Sequence, residues 1–196
     1  MVEIDGLRMP GYQPVSLTIA AAECIGVSGA SGSGKTRLLR AIADMDEHDG
    51  EVRVNNVAAG SIPASEWRKK VALLPAESVW WFDHIGEHFR AYNHYFSELG
   101  FDEEAMQWES ARCSSGEKQR LSIIRLLENS PALLLLDEPT ANLDRHNTEQ
   151  VEKLIQTYLH EQQASAIWVG HSEAQLQRVA HRRFLMTGRG LQAIEL

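Results

Sequence analysis

Residues 29–36, Gly-Ala-Ser-Gly-Ser-Gly-Lys-Thr, constrain this chain more than any other stretch. They fit the pattern Gly-x4-Gly-Lys-Ser/Thr without a mismatch. Backbone N–H groups wrap a polyphosphate only where side chains leave room, so glycines stand where the chain must curl around the anion. The pattern therefore predicts a phosphate-binding loop, followed by a helix whose N-terminus faces the same anion.

The residues in and around this loop support the prediction. Lys35 supplies a mobile positive charge for the β and γ phosphates, and the hydroxyl of Thr36 suits Mg²⁺. Residues 24–28 form an apolar run typical of a buried strand, and residues 37–43 are good helix formers. A Gly/Ser-rich turn that arose by chance would lack this order of strand, loop and helix. The predicted nucleotide-binding residues here are Gly29, Ala30, Ser31, Gly32, Ser33, Gly34, Lys35, Thr36 and Arg37.

Composition limits the class of protein. A chain of 196 residues, 43% hydrophobic and 23% charged, is typical of one soluble globular domain. Its formal charge of −8 argues against broad electrostatic binding to nucleic acid or to an anionic membrane face. The longest apolar run, residues 132–136, is too short to cross a bilayer, and no N-terminal signal pattern is visible. Two distant cysteines fit a reduced compartment, so we expect a cytoplasmic protein without a nucleic-acid partner.

A second chemical landmark is Ala-Leu-Leu-Leu-Leu-Asp-Glu at residues 132–138. The apolar run predicts a central strand of a parallel sheet, covered on both faces, and ligands gather at the carboxyl ends of such strands. We therefore predict Asp137 as a ligand of Mg²⁺ or its water shell, and Glu138 as the group that polarises a water in line with the γ-phosphate. A strand that simply ends in helix-capping acids is the alternative.

Two further candidates are Tyr12 and His171. Tyr12 lies in a turn between two early strands, where it can stack on an adenine or pack against the strand edge. His171 follows a predicted buried strand, and from that end it can reach the γ-phosphate region.

Periodicity and turn residues predict the remaining elements. Further strands are expected at residues 2–4, 15–19, 51–54, 71–74, 166–169, 184–186 and 191–196, and helices at residues 63–70, 115–127, 145–163 and 172–180. The alternation of strands and helices predicts an α/β fold: a P-loop core with a mostly parallel sheet and an N-terminal antiparallel β part.

Aromatic residues crowd the middle of the chain, between residues 80 and 108. We predict a helical subdomain over residues 77–127, set into one domain whose core comprises residues 1–76 and 128–196. Most of these aromatic side chains are expected to pack inside it. Trp80 and Trp81, if exposed, would form a patch that docks a partner.

The spacing of His84 and His88 admits two interpretations. Two imidazoles at i and i+4 can share one helical face as metal ligands. Gly86 between them weakens such a helix, however, and no third ligand is evident from the pattern. Ordinary surface or interface histidines are the other interpretation.

Residues 113–120, Cys-Ser-Ser-Gly-Glu-Lys-Gln-Arg, are not generic to P-loop proteins. They resemble the signature Leu-Ser-Gly-Gly-Glu-Lys-Gln-Arg of the ABC ATPases, the engines of ABC transporters, at six of eight positions. Asp-Glu-Pro-Thr at 137–140, Ala-Asn-Leu-Asp at 141–144 and His171 extend the resemblance over nearly the whole chain in order.

The resemblance implies a head-to-tail dimer that sandwiches two ATP molecules. Each site would join the phosphate loop of one subunit to Ser114 and Gly116 of the other. Ser114 precedes the predicted helix that runs to about residue 127, so its N-terminus would point at the γ-phosphate of the neighbour's ATP.

The same resemblance assigns roles within the site. Glu138 would be the general base and His171 the residue that senses the γ-phosphate; with Lys35 they form the predicted catalytic set. Thr36 and Asp137 would hold Mg²⁺, and Asp144 would belong to the loop that joins the two sites.

Three positions depart from the family's pattern. Ala76 stands where the family usually carries a glutamine, which touches Mg²⁺ or the attacking water and relays movement to the membrane subunit. Either Glu77 or a water substitutes for it, or turnover is slow. Cys113 replaces a leucine, which is a packing change, and Ser115 replaces a glycine, where a side chain crowds the backbone or offers its own hydroxyl.

As a function, the resemblance implies the ATP-hydrolysing subunit of an ABC transporter, which drives a separate integral membrane permease from the cytoplasmic face of the membrane. Two alternatives stay open. A soluble ABC ATPase of DNA repair or the ribosome usually carries coiled coils, zinc insertions or a second ATPase, for which 196 residues leave no room. A weakly hydrolysing regulatory module is suggested by Ala76.

Overall fold

A computed structural model of the chain describes residues 1–194. The strands are β1 (Val2–Arg8), β2 (Val15–Ile19), β3 (Cys24–Ser28), β4 (Asp49–Val54), β5 (Val57–Ala58), β6 (Val71–Leu74), β7 (Leu133–Asp137), β8 (Ser165–Val169), β9 (Arg182–Thr187) and β10 (Gly190–Ile194). The α-helices are α1 (Lys35–Ile42), α2 (Ala64–Lys70), α3 (His94–Glu98), α4 (Ser115–Leu127), α5 (Arg145–Gln162) and α6 (Glu173–Val179).

The larger sheet has the strand order β10-β9-β3-β8-β7-β6 over the residues described. All its neighbouring strands run parallel except β10, which pairs antiparallel with β9. The carboxyl ends of β3, β7 and β8 therefore meet at one edge, which is where open α/β sheets bind their ligands. The phosphate loop follows β3, Asp137 is the last residue of β7, and His171 comes shortly after β8.

Strand β7 shows why this sheet is so apolar. Leu133 and Leu135 pack into a core shared with α1 and the smaller sheet, whereas Leu134 and Leu136 pack into a second core with α4, α5 and α6. Side chains alternate between the faces of a strand, and both faces of β7 are covered, so every residue of the strand is buried. Each fully buried leucine contributes about 1.5–3 kcal/mol to folding.

The smaller sheet has the order β2-β1-β4-β5, and its pairings are antiparallel. Val2, Ile4 and Leu7 of β1 point into the core that lies against α1. The register of β1 shifts between Ile4 and Leu7, beside Gly6 at φ 59°. The predicted architecture, a P-loop α/β core with an N-terminal antiparallel part, is thus confirmed.

Residues 77–127 contain less α-helix than we predict from the sequence. Only α3 and α4 are α-helical, and single 3₁₀ turns occupy Ile85–His88, Glu103–Gln107 and Ser110–Arg112. Gly86 packs so closely that a Cβ there would lie 2.7 Å from the carbonyl oxygen of Met106. The segment buries Ile85, Phe96, Leu99, Phe101 and Ala105 in a common cluster. Side-chain packing rather than helical hydrogen bonding holds the segment together.

The metal interpretation of His84 and His88 is wrong. His84 precedes a 3₁₀ turn and His88 is the last residue of that turn, where it is buried. Its Nε2 accepts hydrogen bonds from the backbone N–H groups of Trp81 and Phe82 at 3.0 and 3.1 Å, and its Nδ1 lies 3.1 Å from the carbonyl oxygen of His84. Burial lowers the pKa of His88, so the ring is a neutral structural bridge. Residues 1–194 contain no group of three metal-binding side chains.

The two tryptophans differ in exposure. Trp81 is 62% exposed, together with Val79 and Phe82, whereas Trp80 is partly buried against the core. The guanidinium carbon of Arg125, on α4, lies 4.5 and 4.8 Å from the ring centroids of Trp80 and Trp81. The predicted exposed patch therefore consists of Trp81 and its neighbours rather than of both tryptophans.

Strand β10 ends at Ile194, so the last two residues of the strand predicted at 191–196 lie outside the described residues. Along residues 1–194, none of the helices has both the length and the apolar character needed to cross a membrane.

Candidate nucleotide-binding site

The phosphate loop connects β3 to α1 in a backbone conformation that needs glycine. Gly34 is the N-cap of α1 at φ 104°, and a Cβ there would lie 2.6 Å from the hydroxyl oxygen of Tyr12. Gly29 has φ 149°, and a Cβ there would collide with the backbone of Met186. Both positions exclude a side chain for two independent reasons, the backbone angle and the space.

The interior of the loop is prepared for an anion. The Lys35 ammonium is buried and donates hydrogen bonds to the carbonyl oxygens of Gly29 and Ala30 at 2.9 and 3.0 Å. The Ser33 hydroxyl is buried and has no hydrogen-bond partner within residues 1–194. The first turn of α1 carries no acidic residue, so the positive end of the helix dipole is not neutralised. A buried cation, an unpaired hydroxyl and a free helix N-terminus fit a bound phosphate.

Thr36 and Asp137, 101 residues apart in sequence, meet beside the loop. The hydroxyl of Thr36 donates to Oδ2 of Asp137 at 2.7 Å, and Asp137 is buried at the end of β7. Hydroxyl and carboxylate oxygens are hard ligands of the kind that Mg²⁺ prefers next to a phosphate. The two residues predicted to hold the metal thus fit that role in chemistry and position.

Glu138 and His171 form the second pair at this edge. Nε2 of His171 lies 2.9 Å from Oε1 of Glu138, a direct polar contact between the imidazole and the carboxylate. Glu138 has φ 50° and its backbone N–H donates to the carbonyl oxygen of Val169 at 3.1 Å. This left-handed turn aims the carboxylate across the edge of the sheet towards the loop that follows β8. The glutamate side chain is 33% exposed and the histidine side chain 54%, so water reaches both.

The signature residues lie apart from the phosphate loop. The Ser114 hydroxyl caps α4 by accepting the Glu117 N–H at 3.3 Å, while the Ser114 N–H and hydroxyl both donate to the Glu117 carboxylate at 2.8 Å. These hydrogen bonds lower the pKa of Glu117. Gly116 packs against residue 142, and Gln119 donates to the carbonyl oxygen of Pro139 at 3.0 Å. In the described chain, no hydrogen bond joins Ser114 or Gly116 to residues 29–36.

Tyr12 lies against the phosphate loop as well as against the core. Its ring approaches Gly34, and the guanidinium carbon of Arg37 lies 5.3 Å from the ring centroid. Tyr12 and Arg37, which are both predicted nucleotide contacts, therefore lie beside the loop. Stacking of Tyr12 on an adenine stays a prediction.

Ala76, Cys113 and Ser115 occupy different environments. Ala76 is half-buried just beyond β6, and Glu77 beside it is exposed. Cys113 is buried in the second core, as expected of a packing change. Ser115 is exposed as the first residue of α4.

A depression of about 390 Å³ lies beside the Glu138–His171 pair. Besides the pair, its lining includes Thr140, Gln175 and Arg178, which we do not single out from the sequence. One feature of the sequence could have pointed to Gln175: it lies in the first turn of the helix that follows His171.

Comparison with known proteins gives consistent relatives. A family model described as ABC transporter matches residues 12–141. The ATP-binding protein LolD of a lipoprotein-releasing system from Saccharophagus degradans is 33% identical over 178 residues, covering 80% of this chain and 78% of the relative. The molybdenum import ATP-binding protein ModC of Rhizobium etli is 31% identical, with 84% and 52% covered. The aliphatic sulfonates import ATP-binding protein SsuB of Pseudomonas fluorescens is 30% identical, with 88% and 66% covered.

A solved structure gives the same fold. The ATP-binding cassette MJ0796, a dimer in a post-hydrolysis state bound to ADP and Pi, has a TM-score of 0.83 at 21% identity and full coverage of both chains. The curated relatives differ in length, and this chain spans between about half and four-fifths of them. The family model covers more than half of the chain, and LolD is 33% identical over 80% of it. The chain belongs to the ABC transporter family, as an ATP-binding cassette.

Proposed function

We propose that this chain binds ATP with Mg²⁺ and hydrolyses it as one subunit of a head-to-tail pair of cassettes, which drives a separate membrane permease from the cytoplasmic face. The observation that carries the proposal is the meeting of two pairs, Thr36 with Asp137 and Glu138 with His171, at the edge of the sheet beside Lys35. The relatives named as ATP-binding proteins of import and release systems support the transport part.

The chain's own groups account for phosphate binding. The backbone of residues 29–34 and the N-terminus of α1 offer N–H donors, and the buried Lys35 ammonium turns from loop carbonyls to the phosphates. Thr36 and Asp137 would hold Mg²⁺, which when bound neutralises charge on the β and γ phosphates.

Hydrolysis then needs a base and a fixed geometry. Glu138 accepts a proton from the attacking water while the oxygen of that water forms a bond to the γ-phosphorus. The bond between the γ-phosphorus and the ADP oxygen breaks, so that ADP and inorganic phosphate leave. Nε2 of His171, 2.9 Å from Oε1 of Glu138, limits the orientation of the carboxylate while leaving Oε2 free for the water. Ser114, exposed at the start of α4, would approach the γ-phosphate held by the partner cassette.

The test compares Glu138→Gln with the parent protein. The amide keeps the shape of the side chain but cannot accept the proton, so we expect phosphate release to fall by about 100-fold or more while the Kd for a fluorescent ATP analogue stays within about two-fold. Glu149→Gln is the matched control because Glu149 is an exposed glutamate on α5 that pairs with Arg145. Equal turnover in Glu138→Gln and the parent would remove Glu138 as the base.

A second candidate is a regulatory cassette with weak hydrolysis, and Ala76 favours it. A methyl group cannot contact a metal or orient a water, and the neighbouring Glu77 is exposed. The parent protein's own turnover separates the candidates. Phosphate release no faster than that of Glu138→Gln, with ATP still bound, would identify the regulatory module.

A further inference from the structure

We infer, on the basis of the proposed ATPase function, that Gln175 is a positioning residue for hydrolysis. Its side chain ties the loop that carries Glu138 to the helix that follows His171, and the buried carboxylate of Glu152 anchors it. Gln175 thereby sets the distance and angle between the members of the catalytic pair.

The contacts of Gln175 span three elements. Its Nε2 donates to the hydroxyl oxygen of Thr140, in the loop after β7, and to Oε1 of Glu152 on α5, both at 2.8 Å. Its backbone N–H donates to the hydroxyl of Ser172, the N-cap of α6, at 3.3 Å. Both hydrogens of the amide are used and the residue is 9% exposed, so the side chain has one orientation.

Glu152 explains why that orientation is stable. It is 6% exposed in the middle of α5, and a buried carboxylate is costly unless it is paired. Nε of Arg178 donates to Oε2 at 3.1 Å and Nη2 donates to Oε1 at 2.8 Å, which closes a bidentate pair. With Arg178 on one side and Gln175 on the other, every member of the network is satisfied, and such networks are rigid.

The network acts on the catalytic pair through short covalent paths. Pro139 is the single residue between Glu138 and Thr140, and its ring fixes φ, so the position of Thr140 limits the direction of the glutamate. On the other side, Ser172 directly follows His171. Glu138, Thr140, His171 and Ser172 all line the depression of about 390 Å³, whereas Pro139 does not. A displacement of about 1 Å in a catalytic group can lower a rate by about 100-fold.

The competing explanation is that Gln175, Glu152 and Arg178 only fasten α6 to α5. Loss of Gln175 would then lower the thermal midpoint without a selective effect on hydrolysis. Positioning instead predicts that Gln175 and Thr140 act as a unit in hydrolysis, because the bond they share is the one that joins the Glu138 loop to α6.

A double-mutant cycle separates these explanations. In Gln175→Ala and in Thr140→Val we expect kcat to fall by about ten-fold, with KM for ATP and the Kd of a fluorescent analogue within about two-fold of the parent. The double variant should lose no more than either single one, and Thr140→Ser, which keeps the acceptor, should restore kcat. Gln156→Ala is the control because Gln156 also donates to α6, at the carbonyl of Arg178, but from the exposed outer face.

A second readout needs neither nucleotide nor turnover. The ring ¹⁵N–¹H correlations of His171, assigned with His171→Gln, report its contact with Glu138. We expect Gln175→Ala and Thr140→Val to shift these resonances and Gln156→Ala to leave them in place. Unshifted His171 resonances in Gln175→Ala, or losses of kcat that multiply in the double variant, would overturn the inference. A parent protein that releases no phosphate but whose His171 responds to Gln175→Ala would instead contradict the proposed function.

Discussion

At the scale of single residues, the site depends on backbone geometry that residue types alone do not display. Glu138 is a non-glycine residue at φ 50°, a conformation that costs about 1 kcal/mol or more for residues with a Cβ. Its bond to Val169 and the short path to Thr140 hold that conformation in place. The strained turn directs the carboxylate of Glu138 towards His171 rather than towards the core.

Ala76 gives a prediction at this scale. If the missing glutamine limits hydrolysis, Ala76→Gln should raise kcat several-fold, since a side-chain amide at that position can orient the attacking water. Steady-state phosphate release at saturating ATP is the measurement, and Ala111→Gln, on the exposed surface, serves as the control. Unchanged turnover in Ala76→Gln would show that another group already orients the water.

Cys24 gives a prediction about alkaline stability. Burial raises the pKa of its thiol to about 12, from about 9.0 in a solvated chain. A raised folded-state pKa stabilises the fold fully below pH 9, and the contribution is lost as the pH rises from about 9 towards 12. The free energy of unfolding in urea should therefore fall between pH 9 and pH 11, and more steeply for the parent than for Cys24→Ala.

Tyr158 bears on the same measurement. Burial also raises the pKa of this phenol, whose hydroxyl donates to the carbonyl oxygen of Pro131 at 2.8 Å. Cys24→Ala should therefore reduce the pH dependence without abolishing it. Identical slopes in the parent and Cys24→Ala would mean that the thiol ionises inside the fold as readily as in water.

The residue scale also shows what the sequence can and cannot predict. The phosphate loop, Thr36 and Asp137 are predictable because their spacing is imposed by phosphate and metal chemistry, and the structure brings Thr36 and Asp137 together. The bond between Gln175 and Thr140 joins residues 35 positions apart, and neither residue belongs to a spacing that chemistry imposes. Only the packing of α6 on α5 creates it.

At the scale of elements, α4 combines two demands on one residue. Ser114 caps the helix through its reciprocal bonds with Glu117, and by resemblance the same hydroxyl serves the γ-phosphate of the partner's ATP. Structural and functional roles can be separated here because an N-cap requires only an acceptor, whereas an approaching phosphate rejects negative charge.

Two substitutions at Ser114 make that separation. Ser114→Ala should lower the free energy of unfolding by about 1 kcal/mol, because the cap is lost. Ser114→Asp keeps an acceptor at the N-cap and should retain most of the stability, yet it should abolish ATP-dependent dimerisation. Thermal unfolding and light scattering measure the two effects. Dimerisation by Ser114→Asp as strong as that of the parent would place Ser114 away from the neighbour's phosphate.

Elements differ in how well a sequence predicts them. The strands and long helices of the core follow periodicity, because a face that must be buried repeats every two or every 3.6 residues. Residues 77–113 lack such a repeat: their 3₁₀ turns are held by contacts such as that of His88 with the backbone of Trp81 and Phe82. The sequence shows the aromatic content of this segment. It does not predict that much of the segment folds into 3₁₀ turns rather than α-helices.

At the scale of the whole molecule, no hydrogen bond within residues 1–194 joins the signature residues Ser114 and Gly116 to the phosphate loop. The phosphate loop, the predicted metal ligands and the proposed catalytic pair share one edge of the larger sheet, whereas Ser114 and Gly116 make their contacts with residues 117 and 142. A complete site of the kind we propose therefore requires a second cassette. Two copies with a formal charge of −8 each repel one another, so the pair should depend on nucleotide held between them.

The mass of the Glu138→Gln protein in solution, with and without ATP and Mg²⁺, tests this account most directly. Because hydrolysis is blocked, multi-angle light scattering should give twice the 22.0 kDa of the chain at saturating ATP and a single 22.0 kDa chain without it. Lys35→Ala and Ser114→Asp, each added to Glu138→Gln, should return the mass to that of one chain. A mass that stays at 22.0 kDa while a fluorescent ATP analogue is bound would contradict the paired site.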